Sequence, residues 1–154
     1  ESDNYIDFIG IAKDKKIEVI EVTAGQRIML DNEVEMCVLW PVEDYIKENA
    51  INNNSIVFKL YINGVSAIFT GDIEEEAEKR IVYKYNNVKY RGENILKSDI
   101  LKVGHHGSKT SSTQEFIELV KPKIALIGVG RNNNFGHPNL DVIESLKKLR
   151  HKSL

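Results

Sequence analysis

One cysteine, three prolines and one tryptophan are all that 154 residues contain of those types. The lone cysteine, Cys37, cannot close an internal disulfide, so no disulfide framework stiffens the chain and the redox compartment is unreadable. Its setting, Val34-Glu35-Met36-Cys37-Val38-Leu39, makes it a small apolar filler on a strand's buried face. No apolar run reaches the ~18 residues of a membrane-spanning helix. The sequence shows no secretory leader pattern, and residue 1 is Glu rather than Met. A surplus of one charge is also missing: the formal net charge of -2 leaves no overall basic footprint for nucleic acid. The glycine-rich loops that cradle nucleotide phosphates are absent. So is Gly-x-Ser-x-Gly, which removes Ser108 as a nucleophile on a strand-to-helix elbow. Histidine is scarce, with four in all and none before His105.

What is present suits one globular core. A hydrophobic content of 42% against 29% charged residues is that of an ordinary folded domain. No repeat or linker divides the chain, so residues 1–154 read as a single domain. Tyr5, Ile6, Ile9 and Ala12 fall on one helical stripe, with Ser2 or Asp3 as cap. Residues 17–22 alternate and read as a strand, as do 27–30 and 34–40. Asn63-Gly64 between alternating runs at 55–62 and 65–70 is a strong hairpin signal. A helix over about 73–82 follows. A short buried strand at 100–103, a helix holding Phe116, Ile117 and Val120, a strand over 123–129 and a last helix carrying Val142, Ile143, Leu146 and Leu149 complete the order. Residues 83–97, rich in tyrosine and asparagine, are left unassigned.

Three short motifs stand where apolar runs stop: Thr70-Gly71-Asp72, Lys102-Val103-Gly104-His105-His106-Gly107-Ser108 and Gly136-His137-Pro138. Functional groups of open α/β sheets gather outside the carboxyl ends of strands. The motifs therefore bring a carboxylate and imidazoles, ligands suited to zinc or a similar ion, to one sheet edge. Each has a plainer reading. Asp72 caps the following helix equally well by pattern. His137 either meets substrate or fixes the loop before the last helix. The amides around Gly107-Ser108 and Ser111-Ser112 either receive an anion or sit in a capping loop. Lys102, Lys109, Lys121, Lys123 and Arg131 are either a local basic surface or ordinary solvated side chains. Successive residues on extended chain diverge, so one ion is not expected to collect both His105 and His106.

The order Thr-Gly-Asp, His-His-Gly-Ser, Gly-His-Pro resembles the metallo-β-lactamase superfamily, and within it the hydrolase domain of ComEC/Rec2-type competence proteins. Asn53-Asn54-Ser55-Ile56-Val57-Phe58, the acidic run 73–78, Lys109-Thr110-Ser111-Ser112 and Val120-Lys121-Pro122-Lys123 extend the likeness over most of the chain. The superfamily's main signature, His-x-His-x-Asp-His, is absent. The resemblance is therefore to the C-terminal half of such a domain, without the N-terminal ligand segment. It implies an α/β fold, the second half of an αββα sandwich, with a mixed sheet and helices on its outer face. It implies Asp72 and His106 as metal ligands, Asp72 bridging two ions in relatives, with His105 and His137 in catalytic or substrate-side roles. Two zinc ions are expected in a complete parent domain, and weak or no binding in this chain. The implied activity is metal-dependent hydrolysis of a phosphodiester such as DNA in bacterial competence and DNA uptake, the isolated chain being inactive. The alternative is a non-catalytic binding or interaction module on a degenerate half-fold. Expected partners are the missing N-terminal half, a second copy through self-association, and a nucleic-acid or phosphodiester substrate of the parent. A membrane-associated or extracytoplasmic parent stays open.

Overall fold

The computed structural model of the protein describes residues 3–151. A first helix, α1 (Asp3–Asp14), precedes a hairpin of β1 (Arg27–Asp31) and β2 (Val34–Trp40). A one-turn helix, α2 (Ala50–Asn53), leads into β3 (Val57–Ile62) and β4 (Val65–Phe69). Helix α3 (Glu75–Tyr85) follows, then the small hairpin β5 (Lys89–Tyr90) and β6 (Glu93–Asn94). The chain returns through β7 (Ile100–Lys102), α4 (Gln114–Val120), β8 (Ile124–Leu126) and α5 (Leu140–His151). Ser2, one of the two expected caps of α1, lies outside the described residues.

The sheet has six strands in the order β1-β2-β3-β4-β7-β8. Its first four strands pair antiparallel, while β4, β7 and β8 run parallel. The turn between β3 and β4 is made by Asn63 (φ 49°) and Gly64 (φ 81°), both left-handed, as a tight hairpin demands. Parallel strands need crossovers, and α3 and α4 supply them. Both helices cover one face. Leu39, Trp40, Val57, Ile68, Leu101 and Val103 of the strands and their flanks meet Ala77, Ile81, Tyr85, Phe116 and Val120 of the helices in one buried cluster. Trp40 donates its indole N–H to the Asn53 carbonyl at 2.7 Å, and Tyr85 its hydroxyl to the Leu39 carbonyl at 3.1 Å. The expected mixed sheet with helices on its outer face is what the chain forms.

The opposite face is largely apolar and half-buried, and becomes exposed at β8. Ile28, Met36, Leu60, Ala67, Ile100 and Ile124 are successive cross-strand partners and run in one row across all six strands. A second row holds Phe58 and Phe69, stacked at 4.9 Å between ring centres, then Lys102, and ends on Leu126. Ile124 and Leu126 are each 53% exposed.

Residues 17–22 form no strand: Ile17, Val19 and Ile20 are exposed and pair with nothing in the sheet. Alternation supplies an apolar side but no ladder, and a strand without a neighbour is not stable. The strand expected over 123–129 stops at Leu126, after which the chain turns away to build the site. Helix α1 also keeps Tyr5, Ile6, Phe8 and Ile11 exposed, with Ala12 its one buried residue. No helix among the described residues is long and apolar enough to cross a membrane.

Candidate functional site

Strands β4, β7 and β8 end side by side, and the loops after them meet. Thr70 fastens the first two by donating its hydroxyl to the Lys102 carbonyl at 2.7 Å. Gly71 has φ 53° and lies against Ser55, where an added Cβ would come within 2.6 Å of the Ser55 Cβ. A larger residue there would push the loop, and Asp72 with it, off the strand end. After β7 the chain makes a 3-10 turn over Gly104–Gly107 in which His105 (φ 42°) and His106 (φ 54°) both adopt left-handed backbone. The His105 amide donates to the Gly71 carbonyl at 3.1 Å, tying this turn to the Asp72 loop.

The two rings diverge and find different carboxylates. His106 Nε2 stands 3.7 Å from Asp72 Oδ1. Its other nitrogen, Nδ1, donates to the Gly128 carbonyl at 2.6 Å. That bond puts the proton on Nδ1 and leaves the Nε2 lone pair directed toward Asp72. His105 Nδ1 lies 3.2 Å from Glu74 Oε1. The approach does not make a hydrogen bond, and Nδ1 is buried without a hydrogen-bond partner. Glu74 is held in place by Asn49 Nδ2 at 2.8 Å and the Thr110 hydroxyl at 3.2 Å, while its own amide donates to Asn53 Oδ1 at 3.1 Å.

The third loop brings His137 to the same edge. Its ring centre is 5.7 Å from that of His105, and it stacks on Phe135 at 5.9 Å. Asn133 grips both ends of the residue, accepting from the His137 amide at 3.0 Å and donating to its carbonyl at 2.8 Å. The loop docks on the histidine turn through Asn139, whose amide donates to the Gly107 carbonyl at 2.8 Å. Pro138 packs so close to Gly107 that an added Cβ would meet it at 2.8 Å.

Asp72, His105, His106 and His137 are thus brought together. The serine-rich loop is not an open anion cradle. The amides of Ser112 and Thr113 both donate to the Glu78 carboxylate at 2.6 Å. Ser108 and Ser111 amides close turns onto the carbonyls of His105 and Ser108. No Ser or Thr side chain of that loop caps α4; the buried Glu78 of α3 takes those amides instead. Burial pushes the Glu78 carboxyl up, against the pull of those two amides.

Sequence reasoning missed Glu74, Gly128 and Asn133. Glu74 was findable as an acidic residue two positions after Asp72 in the same loop. Asn133 stands four residues before His137 in an asparagine-rich loop, a weaker sign. Gly128 acts through its carbonyl and leaves no sign in side-chain identity.

Asp72 and His106 fit a zinc ion as two ligands of one. Oxygen and nitrogen ligands at ~2.0–2.2 Å from a tetrahedral centre stand roughly 3.3–3.6 Å apart. Among the described residues no three histidine, cysteine or acidic side chains are grouped to hold an ion.

Comparisons with known proteins bear on this edge. The family described as the metallo-beta-lactamase superfamily matches residues 30–131. The chain is similar to ComE operon protein 3 of Bacillus subtilis (strain 168), 34% identical over 137 residues, which is 89% of this chain and 16% of that protein. It is 34% identical over 87 residues to the competence protein ComA of Neisseria gonorrhoeae, 56% of this chain and 12% of that protein. With recombination protein 2 of Haemophilus influenzae the figures are 33% over 101 residues, 66% and 12%. The chain spans about a sixth or less of the length of these relatives.

Proposed function

The chain belongs to the metallo-β-lactamase superfamily, and from that premise we propose that it contributes one side of a zinc-dependent phosphodiesterase centre acting on nucleic acid in competence. The observation that carries this reading is the facing pair Asp72 and His106, with His106 Nδ1 committed to the Gly128 carbonyl. A histidine oriented in this way presents Nε2 as a ligand atom. Two zinc ligands are too few for a working ion, so the remaining ligands come from a segment beyond this chain, in the longer protein that the relatives' lengths suggest. Zinc bound there supplies Lewis acidity and lowers the pKa of a water.

The chain's own residues do the rest. Asp72 and His106 hold the ion on this side. His105, whose Nδ1 lies beside Glu74, stands at the same edge as a group for proton transfer at a leaving oxygen. His137, packed on Phe135 and held by Asn133, faces the same space and orients the phosphodiester. The largely apolar opposite face of the sheet supports packing against a second sheet, as two sheets of a sandwich do at ~10 Å.

The test has two arms. The chain alone should hold zinc weakly against a chelator and turn over little of a generic phosphodiester. The longer protein with the full ligand set should hydrolyse it, with activity removed by chelation and restored by zinc. Two tightly held zinc ions per 154-residue chain, with metal-dependent turnover, would overturn the shared-site reading.

A further inference from the structure

A second feature lies at the opposite edge of the sheet, at the amino ends of the parallel strands. Lys59 of β3 is 3% exposed. Its ammonium donates to the carbonyls of Ile95, at 3.1 Å, and Lys97, and lies 4.5 Å from the centre of the Tyr61 ring. Among the described residues no carboxylate forms an ion pair with it. Carbonyls and a ring face cover a buried cation only partly, and full compensation calls for an anion.

Lys59 lines a cavity of about 340 Å³. Arg91, Lys97, Lys121 and Lys123 share its wall, against two carboxylates, Glu93 and Asp99. Lys97 is paired with Glu93, Lys123 with Asp99 and Arg91 with the buried Glu35 at 2.7 Å. Lys121, in the left-handed cap of α4, has no ion-pair partner among the described residues. A chain of net charge -2 therefore concentrates positive charge here. The nearby rings do not offer stacking. Tyr61 is covered by Lys59 and Arg91, each at 4.5 Å, and Tyr90 by Arg27 at 5.0 Å and Arg91 at 5.5 Å. What the cavity presents to a visitor is charge and N–H donors, not an aromatic face.

We propose that this cavity binds a phosphoryl group, with Lys59 at its floor and Lys121 and Arg91 at its rim. Ammonium groups from separate elements converge as point charges, which suits a compact oxyanion of more than one charge better than a single carboxylate. The group belongs either to a small free phosphate or to a nucleic-acid backbone. The site makes no use of the histidine edge, and its test is independent of metal.

The experiment is amide NMR on the intact chain in the presence of a chelator, at low salt. Sulfate and inorganic phosphate are titrated first, then a single-stranded oligodeoxynucleotide. Shifts should concentrate at Gly64, Ser66 and Lys121, with a Kd of about 1 mM or tighter for the inorganic anions. Lys121→Glu should weaken binding by ~10-fold while distant amides keep their positions, and Lys59→Met should weaken it further. If Lys59→Met does not fold, Lys121→Glu and Arg91→Gln decide. An oligonucleotide that displaces sulfate from these amides identifies the backbone as the source. One that does not leaves the small free anion. Sulfate keeps its charge while burial holds the Lys59 ammonium down at about 8. Cys37 of β2, Glu93, Lys97, Asp99, Tyr61 and Arg91 face it. Sulfate affinity should therefore fall ~3–10-fold as pH rises to about 9. Absent shifts at these amides, shifts confined to the histidine edge, or binding indifferent to Lys121→Glu would each overturn the proposal.

Discussion

His106 shows how much one residue can be oriented by a backbone atom. With Nδ1 spent on the Gly128 carbonyl, only Nε2 is free to meet an ion beside Asp72. In the longer protein with a full ligand set, His106→Ala should abolish zinc binding at this position in a chelator competition. His105→Ala, which removes a ring paired with Glu74, should cost no more than ~10–100-fold. The reverse order would reassign the two histidines. Lys59 offers a residue-scale test of stability. Its pKa is depressed by burial to about 8, so between about 8 and the ordinary lysine value the unfolded chain binds more protons than the folded one. Stability should rise with pH across that window. Lys59→Met, which fills the same space without charge, should raise the urea midpoint, by ~1–3 kcal/mol in stability. Asp99 gives a slope of the same sign at acid pH, but there the charged form is the one the fold favours. The Lys123 ammonium and the Ser66 amide hold its carboxyl down at about 2. Its contribution is complete above ~4 and is lost as pH falls toward 2, which an acid-denaturation series on Asp99→Asn would resolve.

Elements set by local rules were legible in the sequence, and those set by distant partners were not. Asn63-Gly64 announced the β3–β4 hairpin because two successive left-handed residues suit few other sequences. Gly64→Ala should therefore destabilise the chain by ~1 kcal/mol in urea unfolding. The run at 17–22 carried the same alternation, but a strand also needs a neighbour, and nothing in its own residues reports whether one exists. The β5–β6 hairpin was unreadable for the converse reason: two-residue strands carry too little periodicity. At the site, motif order placed Asp72, His105, His106 and His137 at one edge. It could not show that both histidines adopt left-handed backbone, nor that Glu78 had already taken the loop amides. Gly107 joins two of these elements. Its φ of 77° and the 2.8 Å approach of Pro138 leave no room for a Cβ. Gly107→Ala should displace residues 131–139, visible as loss of the Asn139–Gly107 hydrogen-exchange protection, while the buried core amides of α3 and β7 stay protected.

At the scale of the molecule, the sheet is finished on one side only. Helices α3 and α4 cover one face, and the six-residue row from Ile28 to Ile124 on the other is half-buried up to Ile100 and exposed at Ile124. Apolar surface of that extent drives association. Sedimentation of the chain should show mass rising with concentration, and Leu60→Lys together with Ile100→Lys should return it to a monomer. A monomer at every concentration would mean the face is satisfied within the chain. The mixed topology of the sheet has a further consequence, in the order of folding. Strands β1 and β2, and β3 and β4, pair through tight turns, whereas Ala67 meets Ile100, and Ile100 meets Ile124, only after the longer helices α3 and α4 have been laid down between them. Contacts that close long loops form late. Asp72 and His106 stand at the ends of those late strands, so their meeting belongs to the last stage of folding. A metal held between them would then slow unfolding and leave the refolding rate unchanged.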